Sequence, residues 1–131
     1  MLGLWQANAV AFAVAFAAIS SLTFAVPFVI APERWSRTMG WAVPEDRDLV
    51  RYFARSLGLL ALSTNAMGLY AALCRIALLP AYYFALTLFF ALMIPLHVYG
   101  ALRRQQPVSE TMEIALWAVL LVLAVLFYPI G

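Results

Sequence analysis

Lysine is absent from this chain, cysteine and histidine each occur once, and charged residues make up only 11% of it. Each shortage excludes something. The lone Cys74 rules out an intrachain disulfide, a CxxC redox pair and a cysteine-based metal cluster. Soluble domains carry roughly 25% charged residues, so a water-soluble globular fold is excluded, and with it a nucleic-acid-binding module. The sequence holds no glycine-rich phosphate loop, no HExxH, no paired aspartates for a prenyl-diphosphate magnesium and no rhomboid-type Ser–His pair. It therefore offers no catalytic and no metal-ligating set, and a non-enzymatic protein is expected. Every Asp and Glu lies in or beside a loop, which argues against a proton-coupled transporter that uses a mid-span carboxylate. All eight basic residues are arginine, a composition that points to a GC-rich, bacterial gene.

What the chain does hold is apolar surface: 66% of its 131 residues are hydrophobic. They gather into four runs, at 4–31, 50–73, 80–102 and 111–128, each long enough to cross a bilayer. Hydrocarbon cannot satisfy an exposed backbone, so such runs must be helical. The expected fold is an all-α membrane protein, a single domain of four antiparallel transmembrane helices in a bundle. The first basic residue is Arg34, so the first run lacks the basic start of a secretory signal and reads as a retained span. Its alanines at Ala7, Ala11 and Ala15 have the small-xxx-small spacing of a close helix contact. Pro27 has no N–H, which frees the Thr23 carbonyl and predicts a kink.

The loop from Pro32 to Asp48 predicts a short interfacial helix, with Trp35 and Trp41 at headgroup level. Pro44 reads as the first position of the second helix, followed by Glu45, Asp46 and Asp48, whose charge suits the helix dipole. A turn at Cys74–Leu79 makes the second and third helices a hairpin, with Pro80 opening the third and Pro95 a kink position. Ser109 reads as the N-cap of the fourth helix. The first and third loops, with the span ends beside them, carry Arg34, Arg37, Arg47, Arg51, Arg55, Arg103 and Arg104, whereas the opposite side has Arg75 alone. The positive-inside rule then puts both loops in the cytoplasm and both termini outside, in a multi-pass protein of the inner membrane.

Three groups of residues invite a function. The second helix carries a small-residue stripe at Ala54, Gly58, Ala61, Asn65, Gly68 and Ala72, which reads first as a packing seam and second as a partner contact at Gly58 and Gly68. Asn65 falls near mid-span, where its amide needs a partner, and Thr87 of the third helix is in reach. His97 lies roughly 8 Å in from the cytoplasmic end of the third helix, sharing a face with Tyr83, Phe90 and Met93. A lone histidine can hold a chlorophyll magnesium or a high-spin haem, whereas a two-histidine haem would need a dimer; a hydrogen-bonded interfacial histidine is the simpler reading. Arg47, Arg51 and Arg55 form a basic ridge that fits anionic headgroups, an acidic partner or plain topology signalling, with Glu110 and Glu113 as ion-pair partners across the bundle.

The stretch Arg55-x-x-Gly58, then Leu69-Tyr70-Ala71-Ala72, Tyr83 and a late His97, resembles the small four-helix scaffold family of ergosterol biosynthesis and, more loosely, DoxX-type bacterial four-helix proteins. The scaffold family follows its histidine with an acid four residues on, where this chain has Ala101. The resemblance implies a non-enzymatic protein that gathers partners in the membrane. Three functions are thus expected in order. The first is an accessory or scaffold subunit packing against other membrane proteins or a second copy. Next comes a binder of lipid or of a hydrophobic cofactor (haem, chlorophyll, quinone or a sterol-like molecule) at His97, Tyr83, Phe90 and Asn65. Last is a small channel or transporter formed by oligomerisation around Ser63, Thr64, Asn65 and Thr87.

Overall fold

Each apolar run closes its backbone hydrogen bonds on itself, and the computed structural model, which describes residues 2–130, is helical with no strand among the described residues. Helix α1 runs Gln6–Ile30, the short α2 Pro32–Thr38, and α3 Asp48–Leu73. A single 3-10 turn, Ile76–Leu78, leads into α4 (Leu79–Leu102), and α5 is Val108–Leu126. The four long helices are long and apolar enough to cross a membrane, and they form the expected four-helix bundle.

The main packing partners are α1 with α3 and α4 with α5. The expected α3–α4 hairpin holds at its tip, where Gly68 lies under the Tyr82 ring, while most of the buried face of α3 lies on α1. Aromatic rings then join the two pairs. Phe12 lies 6.0 Å from Tyr83 and 4.7 Å from Phe127, and Phe16 meets the Phe90 edge at 5.3 Å. The Tyr83 hydroxyl donates to the Ala9 carbonyl at 2.7 Å, tying α4 to the start of α1. At that end of the bundle the chain's two ends are also stitched together. The Trp5 amide donates to the Leu126 carbonyl at 2.8 Å, and the Ile130 amide to Gln6 Oε1 at 3.1 Å.

Several local expectations are corrected. The buried alanine row of α1 is Ala9, Ala13 and Ala17, and Ala7, Ala11 and Ala15 face outward. Both rows have the same spacing; the buried one is flanked by Phe12 and Phe16, whose rings need the core. Pro27 does disturb α1, as a π-helical turn at Ser21–Ala25 rather than a break, because the residues before it lose their regular acceptor pattern. The freed Thr23 carbonyl accepts the Trp35 indole N–H at 3.1 Å. Pro44 stays outside the helix: α3 starts at Asp48, whose amide bonds Asp46 Oδ1 at 3.3 Å. Ser109 caps nothing, since α5 begins one residue earlier and the Ser109 hydroxyl donates instead to the Met39 carbonyl of the first loop. Pro95 lies inside α4, which runs through it unbroken.

Candidate functional site

The small-residue stripe positions everything else. Gly58, Asn65, Gly68 and Ala72 are buried, with Ala54 and Ala61 half-buried beside them. A Cβ at Gly58 would stand 2.8 Å from the Ala25 carbonyl oxygen, so only glycine lets α1 and α3 approach this closely. Gly58 and Gly68 are thus spent on contacts within the chain and are not surfaces for a partner or lipid. Asn65 Nδ2 donates to Ser20 Oγ and Ser21 Oγ, both at 2.9 Å, and not to Thr87, whose buried hydroxyl has no partner among the described residues. The reason is the same seam. The π-helical turn starts where Asn65 arrives, and α1 is closer to this face of α3 than α4 is.

The residues expected to share a binding face are not brought together. Tyr83 is at the turn end, bonded to Ala9; Phe90 is in mid-core against Phe16 and Trp117; Asn65 faces α1. His97 stands apart from all three at the arginine-bearing end. Its side chain is 5% exposed, and its Nδ1 lies 2.8 Å from the Met93 carbonyl, which can only accept. Nε2 faces Glu110 Oε2 at 3.2 Å, Glu113 Oε2 at 3.5 Å and the Trp117 indole nitrogen at 3.3 Å. The ring is buried and Nε2 is enclosed by Glu110, Glu113 and Trp117, which leaves no access for the macrocycle of a haem or chlorophyll. Trp41 donates to the other oxygen of Glu110 at 2.7 Å. Gln106 Nε2 donates to the His97 carbonyl at 3.0 Å and to Thr111 Oγ1 at 3.2 Å, lying over Gly100, where any Cβ would displace it.

Glu110 and Glu113 therefore serve His97, and the arginines have a different acid. Glu33 of α2 accepts Arg51 Nε at 2.6 Å and Arg47 at 2.9 Å. The Arg51 hydrogen bond, with the charge of both arginines, holds the Glu33 carboxyl below its ordinary value of 4.5 against a smaller opposing effect of burial. Beside this clamp lies an open groove of about 760 Å³ between α2 and α3, with Glu33, Arg34, Arg37, Arg51 and Arg55 on its walls and Ile30 at its apolar edge. Arg34 and Arg37 make no ion pair among the described residues, and Arg55 reaches only a backbone carbonyl, that of Val29 at 3.3 Å. The groove thus carries four guanidinium groups against one carboxylate.

The sequence reading missed two features, the acids beside His97 and the two free arginines of α2. A signal for the first exists: His97 and Glu113 are equally far from Gln105 in the short α4–α5 loop, and antiparallel neighbours equidistant from their turn lie side by side. The second needed the direction of α2, which composition does not encode. Compared with protein-family models, curated proteins and solved structures, the chain matches none. Its class is that of the fold, a four-helix bundle whose helices are long and apolar enough to cross a membrane.

Proposed function

We propose that this chain acts by binding rather than by catalysis, as a small accessory protein of the inner membrane that holds an anionic lipid headgroup at its arginine-bearing end. The observation that carries this reading is the groove between α2 and α3, in which Arg34, Arg37 and Arg55 have no carboxylate partner among the described residues. A guanidinium presents a rigid fork of donors that matches phosphate geometry. Juxtamembrane arginines gain about 1 kcal/mol each at an anionic leaflet. The apolar Ile30 at the groove edge fits an acyl chain descending from such a headgroup. With both termini on the arginine-poor side, the groove opens to the cytoplasmic leaflet.

Packing against a partner membrane protein, the scaffold reading, is the second proposal. What supports it is α5, of whose apolar window only 6% is buried inside the bundle. One isolation tests both. Protein taken from its own membrane in mild detergent should retain phosphatidylglycerol or cardiolipin well above their share of the bulk lipid. The triple variant R34A/R37A/R55A should lose that excess while keeping its fold. Retained lipid in bulk proportion would refute the headgroup reading, and a particle containing one chain and no other protein would refute the scaffold reading. The channel reading has no support in the geometry. Ser63 and Thr64 bond carbonyls of their own helix, and Asn65 is engaged with α1.

A further inference from the structure

Around His97 three acceptor atoms converge with too few hydrogens to separate them. Nδ1 carries the ring hydrogen of the neutral imidazole, because the Met93 carbonyl opposite it can only accept. Nε2 is then a lone pair. It accepts the Trp117 indole N–H at 3.3 Å, a long bond that a cation at Nε2 would displace, and faces Glu110 Oε2 and Glu113 Oε2, 3.2 and 3.5 Å away. The two carboxyl groups are 14% and 19% exposed and the histidine 5%. Two carboxyl groups and a lone pair so placed call for a hydrogen or a cation between them, since buried acceptors left facing one another are destabilising.

We propose that His97 Nε2, Glu110 and Glu113 bind one first-row divalent cation of the zinc class. The three donor atoms all lie within 4.8 Å of one another. Donors about 2.0–2.2 Å from a tetrahedral metal stand roughly 3.4 Å apart, and the two distances from Nε2 bracket that value. Two carboxylates cancel a 2+ charge, so the loaded site is neutral, which suits its buried position. Imidazole with carboxylate oxygen is a donor set that selects zinc, iron or manganese over the softer ions that need thiolate.

The groups behind the donors are those such a site needs. The Met93 carbonyl fixes the ring so that Nε2 points inward, as outer partners of metal-bound histidines do. Trp41 holds Glu110 Oε1, which turns Oε2 to the centre. Gln106 braces α4 against α5 between the His97 carbonyl and Thr111. Three protein donors leave a fourth position for water or a small anion. The site is separate from the arginine groove and stands or falls independently of it.

The test uses the full chain in detergent, stripped with a chelator and titrated with Zn²⁺, and with Co²⁺ as a coloured substitute. The expected result is saturation at one equivalent, with the intense visible absorption of tetrahedral Co²⁺. Glu110→Gln and Glu113→Gln should each weaken Zn²⁺ binding about tenfold or more. Trp41→Phe keeps all three donors, and its expected smaller loss is readable even if a glutamine variant fails to fold. The alternative occupant of the centre is a proton, held between His97 and the two acids. In that case the wild-type chain takes up no Zn²⁺ beyond a blank micelle. That outcome, or equal affinity in wild type and E110Q/E113Q, overturns the proposal.

Discussion

Asn65 carries the one amide near mid-span of α3, and its two N–H hydrogens go to two serine hydroxyls of α1. An interhelical hydrogen bond in a membrane averages well under its value in vacuum, because the loosened helix finds other partners. Asn65→Leu should therefore cost only about 1 kcal/mol, read as a lowered thermal midpoint in detergent; an unchanged midpoint would show that the pair of bonds is not formed. That Asn65 needs a partner is legible from the sequence, since a lone amide in an apolar run cannot stay unbonded. Which partner it takes is not, because Thr87, Ser20 and Ser21 are all within reach of a mid-span amide until the helices are placed. His97 repeats the lesson. Its isolation in the sequence says little, and the two acids that define it come from the next helix.

At the scale of elements, the irregular stretch is the middle of α1. The π-helical turn at Ser21–Ala25, the Trp35 indole on the Thr23 carbonyl and the Phe24–Phe28–Trp35 rings, 4.4 to 5.5 Å apart, fold α2 back against α1. Glu33 then fastens α2 to α3 through Arg47 and Arg51. The acid's folded value lies below its unfolded one, so this fastening stabilises at neutral pH and is lost as pH falls through the lowered value, below 4.5. Acidification should release α2 from α3 in that window, followed by the amide and carboxyl resonances of Glu33. Glu33→Gln should remove this acid-dependent step; a step of the same size in the variant would assign it to another carboxylate.

For the whole molecule, the ends of the chain are stitched together by backbone bonds on the side that holds Cys74 and Arg75, and the arginine-rich loops lie opposite. Tags at the two ends should report the same compartment, away from the cytoplasm, and alkaline carbonate should leave the protein in the membrane fraction. Ends in opposite compartments would be incompatible with an even number of spans and with the fold. The groove and the His97 centre both sit at the arginine-bearing end, so the orientation decides which leaflet and which aqueous phase each can reach.

The apolar runs, their number, their direction and the side that gathers the charge were all determined by the sequence alone. The reason is physical: hydrocarbon imposes helix on any run of that length, and arginine resists transfer across it. Only the tertiary structure decided which of two equal alanine rows turns inward and that Glu33 rather than Glu110 meets the arginines. It also decided that His97 shares its depth with two acids. These choices are made between alternatives of the same local spacing, and what separates them is the packing of bulky neighbours such as Phe12, Phe16 and Trp117, which a one-dimensional pattern does not contain.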